Sequence, residues 1–206
     1  LLQDRTKEIK VRAGLILGLA HDMQIRINKS ALFFCEEVFV KYQKERAADY
    51  VKTKLTEFVK DEEQVYTKAS SLFRKLYQLE LLYPDWDAHL KETDYLLYGA
   101  GLKAYHRLQK EFKAWQRENM PDFDILCEQL LVYFIDTYFC GAIYDGRAYS
   151  KVRMAVNSTF FLYEMLAARW SKNEGMLDME DVIMIVYRFS REIEHSDKNL
   201  ELMEHF

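Results

Sequence analysis

Residues 102–117, LKAYHRLQKEFKAWQR, carry apolar side chains at helical spacing and decide the fold class. The apolar positions are Leu102, Tyr105, Leu108, Phe112 and Trp115. Their spacing of three or four residues places them on one face of an α-helix. Only seven Gly and two Pro occur in 206 residues, and both types interrupt helices. No stretch alternates apolar and polar residues as a strand would, so the sequence predicts an all-α fold.

The same periodicity along the chain predicts seven or eight helices in a single domain covering residues 1–206, with orthogonal or bundle-like packing. The predicted helices cover residues 1–19, 31–60, 62–82, 94–119, 120–145, 147–170 and those from 179 onward. Asp94 and Asp178 are the predicted N-caps of two of them. Pro84 and the Asp145-Gly146 pair mark turns.

Composition indicates a globular chain with no preference for polyanions. Hydrophobic residues make up 50% and charged residues 30%, as in a packed core under a solvated surface. The 29 basic and 33 acidic residues give a net charge of −4, so there is no bulk attraction to nucleic acid or anionic lipid. We expect neither a nucleic-acid nor a membrane partner.

The cysteines and histidines predict no metal site. Cys35, Cys127 and Cys140 stand far apart in apolar stretches and form no CxxC pair. Reduced cysteine behaves as a small hydrophobic residue, so this usage predicts a cytoplasmic protein. The five histidines show no zinc-binding spacing.

The longest apolar stretch, residues 125–144, is long enough to cross a bilayer but contains Glu128 and Asp136. We therefore interpret it as a buried central helix. Buried carboxylates need partners. The candidate partners are Arg5, Arg12, Arg153 and Arg191. Three interpretations of the acids stay open: an exposed strip, a buried ion pair, or a catalytic group with a shifted pKa.

Residues 187–199, YRFSREIEHSDKN, form the most polar segment that is expected to be helical. The residues that would share one face are Arg188, Glu192, His195 and Asn199, with Arg191 and Glu194 in the adjoining row. Glu192-x-x-His195 has the spacing of di-iron carboxylate bundles, but a second copy is missing. The alternatives are an ordinary Arg–Glu network and a functional polar face.

Basic residues form a stripe along residues 102–117. Its members are Lys103, Arg107, Lys110 and Arg117, with Lys113 beside them. Aromatic residues occupy the opposite face, and Glu111 and Glu118 interrupt the charge. A solvated face or a surface for an acidic protein partner is therefore favoured over nucleic-acid binding.

No complete catalytic site follows from the sequence alone. There is no GxGxxG or Walker loop for a nucleotide and no GxSxG nucleophile turn.

Three blocks together resemble one family. They are LQDRTKEIKVR at 2–12, YFIDTYF at 133–139 with YDG at 144–146 and SKVR at 150–153, and SREIEHSDKNL at 190–200. In this order and spacing they resemble the C-terminal helical region of the flagellin lysine-N-methylase (FliB) family. The resemblance spans nearly the whole chain, and its most specific part is the last block.

The resemblance implies N-methylation of lysine side chains, on flagellin or another protein substrate, in the cytoplasm. It also implies a cysteine-rich N-terminal half with an iron–sulfur cluster, and S-adenosylmethionine as methyl donor. The chain opens on Leu1-Leu2-Gln3-Asp4 without that cysteine-rich region. We therefore expect the C-terminal part of a longer protein, which binds no cofactor alone and is not active alone.

On this resemblance Glu192 and His195 are candidate catalytic residues, because a carboxylate or a neutral His can accept the lysine proton. The expected surface toward the substrate or the N-terminal half comprises Arg188, Arg191, Glu194, Asn199, Arg5, Arg12, Asp136 and Arg153. Two alternative functions remain: a non-catalytic domain that docks a helical partner, and a helical bundle that binds a small ligand.

Overall fold

The computed structural model describes the backbone of residues 1–206 and every side chain except that of Phe34. Over this backbone the regular structure is helical and no strand occurs, which confirms the all-α fold. The α-helices are α1 Ile9–Asn28, α2 Cys35–Gln43, α3 Glu45–Lys60, α4 Glu62–Phe73, α5 Trp86–Tyr98, α6 Leu102–Asn119, α7 Phe123–Tyr138, α8 Ala142–Asp145, α9 Ala148–Lys172, α10 Met179–Ile193 and α11 Asp197–His205.

The predicted number of seven or eight helices is too low for the described backbone, which has ten α-helices of nine or more residues besides the four-residue α8. The segment predicted as one helix over 31–60 breaks at Lys44 into α2 and α3. Residues 86–93 of α5 were not predicted as helix, and the predicted helix over 94–119 is interrupted between Tyr98 and Leu102. Asp94, the expected N-cap, lies inside α5 and accepts hydrogen bonds from Arg74.

Two further predicted boundaries differ from the structure, the start of the first helix and the end of the helix over 62–82. α1 begins at Ile9 because Asp4 accepts hydrogen bonds from the backbone N–H and the hydroxyl of Thr6 and closes a turn. Glu8 then has an extended ψ of 146°. The helix predicted over 62–82 ends at Phe73, and a 3₁₀ turn over Arg74–Gln78 leads into an irregular segment at 79–85.

The chain groups into two compact units. The first unit comprises residues 1–60 and 124–159, and the second comprises residues 61–123 and 160–206. The helix α9 contributes residues to both. The single domain expected from the sequence stays a prediction.

In the first unit α1 packs against α2 and α3. Val11, Leu15 and Ala48 form its buried apolar cluster. The approach of the helices depends on glycine, since a Cβ on Gly14 would lie 2.5 Å from a methyl group of Val51. Such a distance is shorter than van der Waals contact, so a side chain there would force the helices apart.

In the second unit α4, α5 and α6 pack on one another around aromatic rings. The ring centroid of Phe73 lies 5.9 Å from that of Tyr98 and 6.3 Å from that of Phe161. Phe189 extends this core to Trp86 at 6.2 Å. Offset and edge-to-face contacts at these distances stabilise the core beyond the burial of area alone.

The segment Phe123–Asp145 is long and apolar enough to cross a membrane by length and composition, with a mean hydropathy of 1.3 over its most apolar window. Only 28% of that window is buried. The buried central helix expected from the sequence is therefore a helix with one buried face, which carries Leu131 and Phe134. Ile143 and Tyr144 are exposed.

Candidate functional site

A partly open pocket of about 130 Å³ lies in the second unit, between the irregular segment 79–85, the first turns of α5 and the last turns of α10. Its apolar walls are Tyr83, Trp86, Met184 and Tyr187. Its polar lining is Asp85, His89, Arg188, Arg191 and Glu192. Three of the residues that the sequence singled out, Arg188, Arg191 and Glu192, therefore meet here.

Glu192 is the buried acid of this pocket, with 0% of its surface exposed. Its Oε1 accepts a hydrogen bond from the backbone N–H of Leu82 at 2.7 Å, and its Oε2 accepts one from Tyr83 at 3.1 Å. Burial raises the pKa of Glu192 against these two bonds, which lower it. Among the described side chains no cation lies within ion-pairing distance of this carboxylate.

Arg191 is one of the two arginines that line the pocket, and aromatic rings hold it. Its guanidinium carbon lies 4.1 Å from the ring centroid of Tyr83 and 5.2 Å from that of Tyr187. It also donates hydrogen bonds to both tyrosine hydroxyls, which raises the pKa of Arg191. No carboxylate within the described part of the chain lies close enough to form an ion pair with it.

Two further lining residues have polar atoms that are buried and unsatisfied. Trp86 is 2% exposed, and its indole Nε1–H finds no acceptor among the described residues. The Nε2 of His89 is likewise buried without a hydrogen-bond partner there. Burial, helped by the positive charge of Arg188, lowers the pKa of His89 to about 4, so its imidazole is neutral at pH 7.

Arg188 and Asn199 have different relations to the pocket. The Arg188 side chain is 44% exposed at the pocket lining, and its Nη2 lies 3.6 Å from Asp85. Asn199 is fully buried and does not line the pocket. Its amide accepts from the Glu80 N–H and donates to the carbonyl oxygens of Glu80 and Glu192, so it ties segment 79–83 to α10.

The predicted common face of Arg188, Glu192, His195 and Asn199 on one helix is wrong, because the helix breaks. Ser196 accepts a hydrogen bond from the Asn199 N–H at 3.1 Å and caps α11, so α10 ends at Ile193. His195 is therefore exposed in the turn, outside the pocket lining. Glu194, part-buried in that turn, also does not line the pocket.

The remaining predicted residues belong to the first unit. Arg5 and Arg12 both donate hydrogen bonds to the carboxylate of Glu128. These bonds lower the pKa of Glu128 to about 2. Of the three interpretations left open for these acids, the buried ion pair applies to Glu128. Asp136 is exposed, as the interpretation of an exposed strip expects.

Arg153 in the same unit lies over the ring of Tyr149, with its guanidinium carbon 5.6 Å from the centroid. Whether Arg5, Arg12, Asp136 and Arg153 extend the surface around Glu192 stays a prediction.

The cysteines do not fit an iron–sulfur cluster, which needs several thiolates in one place. Cys127 is buried, and burial raises the pKa of its thiol to about 12. Cys35 is half-buried and Cys140 is exposed. Among the described residues no group of three or more His, Cys, Asp or Glu side chains could hold a metal ion.

The sequence pattern does not reveal the aromatic half of the pocket: it marks a turn at Pro84 and assigns no role to Tyr83, Trp86 or His89. The one local signal was that turn, since the residue before proline avoids helical geometry. This turn contributes the backbone N–H groups of Leu82 and Tyr83, which bind Glu192, a residue more than a hundred positions away in the chain.

The fold and the site define a class: an all-α domain with a partly open pocket, built from aromatic rings, one buried carboxylate and one arginine without a counter-ion. A family model described as the FliB lysine N-methylase C-terminal domain matches residues 1–206. The chain therefore belongs to that family. Searches of curated proteins and of solved structures found no match.

Proposed function

We propose that this chain is the part of a FliB-type enzyme that receives the lysine side chain of flagellin, or of another protein substrate, for N-methylation. The methyl donor, S-adenosylmethionine, and the iron–sulfur cluster are assigned to no residue of this chain. The cysteine-rich N-terminal half of the enzyme completes the site, the reaction takes place in the cytoplasm, and the segment is inactive alone.

The single observation that carries the proposal is the Glu192 carboxylate, buried in the pocket wall without a cation. A buried unpaired charge costs several kcal/mol, roughly, unless something compensates for it. A lysine ammonium entering the pocket would supply that compensation. Trp86 and Met184 in the same pocket wall give the aliphatic part of a lysine side chain an apolar channel.

Glu192 also suits the proton transfer that the reaction requires. A lysine nitrogen attacks a methyl group only after its ammonium has lost a proton. The pKa of Glu192 is raised, so it lies closer to the pKa of an ammonium group. The carboxylate is therefore a better acceptor for the lysine proton. His195, the other candidate, is exposed outside the pocket, so we assign proton acceptance to Glu192.

The test is methylation of flagellin by the whole enzyme, followed by mass spectrometry of intact flagellin. Glu192→Gln should lower the rate by about 100-fold or more, while His195→Ala and the exposed control Glu201→Gln leave it close to wild type. Far-ultraviolet circular dichroism and urea unfolding check that the variants are folded. An unchanged rate in a folded Glu192→Gln enzyme would remove the assignment.

A second candidate function, docking of an acidic helical partner, rests on α6. Lys103, Arg107, Lys110 and Arg117 are exposed along one side of this helix. None of the four has an ion-pair partner among the described side chains. Unpaired charges of one sign attract a surface of the opposite sign. This stripe would hold the protein substrate while a lysine enters the pocket, so the two functions are compatible.

A further inference from the structure

Arg191 and Glu192 are sequence neighbours of opposite charge that line the same pocket without pairing. Consecutive residues of a helix point in different directions, and here each finds its own surroundings. Glu192 points to the backbone N–H groups of segment 82–83, and Arg191 points to the rings of Tyr83 and Tyr187. The pocket therefore holds a buried anion without a cation, and a cation without an anion.

The surroundings of Arg191 are those that proteins use to bind alkylammonium ligands. A cation over the face of one or two aromatic rings is attracted by the ring quadrupole, and methylated ammonium groups are recognised in this way. Arg191 meets two tyrosine rings and forms no ion pair with a described side chain. The chain's own cation thus occupies an aromatic site.

We propose that Arg191 occupies the binding site of the substrate cation and is displaced when the substrate binds. The space between the rings of Tyr83 and Tyr187 is named the aromatic seat, and Arg191 is named its plug. In the open state Arg191 turns out to solvent, and the ammonium or methylammonium head of a lysine takes its place between Tyr83 and Tyr187. The inference rests on the proposed function and deepens it: the seat selects alkylammonium heads. It also accepts the methylated product, which loses hydrogen-bond donors but keeps its charge.

The exchange is physically reasonable because one cation replaces another. No net charge enters or leaves the aromatic site, so Arg191 and the ligand compete on similar terms. Arg191 is only part-buried, and its long side chain can extend into water while its stem stays in place. Tyr187 is 51% exposed, which leaves the seat accessible from solvent.

Titration of the 206-residue chain with tetramethylammonium chloride tests the plug, with tyrosine and tryptophan fluorescence and calorimetry as readouts and sodium chloride as the ionic-strength control. Arg191→Ala should bind the ion at least tenfold more tightly than wild type, because the seat is empty. Loss of an arginine that is merely structural would not produce a gain in binding. Tyr83→Ala in the Arg191→Ala background should abolish the gain.

Arg188→Ala is the matched control: it removes a cation from the same pocket and helix but not from the aromatic seat, so it should raise the affinity only by relief of charge repulsion, well below the gain of Arg191→Ala. Tyr187→Phe keeps the ring and removes the hydroxyl that accepts from Arg191, so its affinity should lie between those of wild type and Arg191→Ala. It also provides the test if Arg191→Ala does not fold. Wild-type affinity in folded Arg191→Ala or in Tyr187→Phe overturns the plug.

This result is separate from the methylation assay. If Glu192→Gln abolishes methylation and Arg191→Ala gains no affinity, the proposed function stands and the plug is wrong. If Arg191→Ala gains affinity for tetramethylammonium while Glu192→Gln methylates flagellin at the wild-type rate, the aromatic seat binds alkylammonium ions but Glu192 is not the proton acceptor.

Discussion

The Glu164 carboxylate accepts a hydrogen bond from the hydroxyl of Tyr98 at 2.7 Å, inside the second unit. Tyr105 and Gln109 donate to the other oxygen of the same carboxylate. Among the described residues Glu164 has no cationic partner. Burial therefore dominates over the three donors and raises the pKa of Glu164 from 4.5 to about 7.

The stability of the chain should depend on pH through Glu164. The pKa of Glu164 is about 7 in the folded state and 4.5 ordinarily, so between these values the unfolded chain releases a proton that the folded chain keeps. The free energy of unfolding therefore falls by about 1.4 kcal/mol per pH unit from this group. The contribution of Glu164 to the free energy of unfolding is highest at and below the ordinary pKa of 4.5, and it levels off above the folded-state pKa of about 7.

Urea unfolding of wild type and Glu164→Gln at several pH values between about 4.5 and 8 measures this contribution. The difference in unfolding free energy between the two proteins should shift in favour of Glu164→Gln as the pH rises. The exposed Glu111→Gln is the control, and its difference from wild type should be flat. Parallel curves for wild type and Glu164→Gln would contradict the prediction.

The ion pair around Glu128 should be sensitive to which partner is removed. The Glu128 side chain is fully buried and that of Arg12 is 3% exposed, whereas that of Arg5 is 55% exposed. Glu128→Ala leaves the buried Arg12 uncompensated and should lower the unfolding free energy by roughly 3–5 kcal/mol. Arg5→Ala removes a half-exposed partner and should cost less than about 1 kcal/mol.

Thermal and urea unfolding of both variants check this order, and equal losses would show that Arg12 is not the dominant partner. Acid titration adds a second check. The pKa of Glu128 is lowered from 4.5 to about 2, so its stabilising contribution is complete above the upper value. That contribution should be lost as the pH falls toward the lower one.

Asn199 should control the segment that forms one wall of the pocket. Its side chain makes three hydrogen bonds: it accepts from the Glu80 N–H at 2.9 Å and donates to the carbonyl oxygens of Glu80 and Glu192, the last of these bonds being buried. Asn199→Ala leaves buried groups of Glu80 and Glu192 unsatisfied, which should cost roughly 2–4 kcal/mol. Hydrogen exchange should show a large loss of protection at the Glu80 amide.

Ser196→Ala is the comparison, because it removes the N-cap of α11 and the hydrogen bond to the Glu80 carboxylate but leaves the Asn199 side chain in place. Its cost should be about 1 kcal/mol, with the Glu80 amide still protected. Unchanged protection of that amide in Asn199→Ala would mean that segment 79–83 is held by other contacts.

Local signals in the sequence predicted several element ends correctly. Asp178 accepts a hydrogen bond from the Asp181 N–H and caps α10, as expected. Gly146, in the predicted Asp145-Gly146 turn, has a φ of 69°, which glycine adopts without strain, and it follows α8 directly. These helix ends depend on interactions between residues a few positions apart, so a short stretch of sequence is enough to predict them.

The pocket could be predicted only in part, because its halves come from distant segments. Glu192 and Asn199 were chosen for a shared helical face, yet they meet through the backbone of segment 79–83 after the helix has broken. Ser196 followed by Asp197 was the local sign of a new helix. No local pattern reveals that Tyr83 lies under Arg191, since that contact depends on tertiary packing.

The basic stripe on α6 should determine affinity for the protein substrate without affecting the pocket. Lys110→Glu combined with Arg117→Glu reverses two of the four unpaired charges. In the whole enzyme this double variant should bind flagellin at least tenfold more weakly at low salt. The difference should shrink at about 1 M salt, where the screening length is about 3 Å.

The matched control is Lys29→Glu combined with Lys44→Glu, which changes the net charge equally at two other exposed lysines. If net charge alone matters, both double variants weaken binding to the same extent. If the stripe is the docking surface, only the α6 variant weakens it, with KM raised and kcat preserved. Tetramethylammonium affinity of the α6 variant should equal that of wild type, because the stripe holds the protein chain and the pocket holds one side chain.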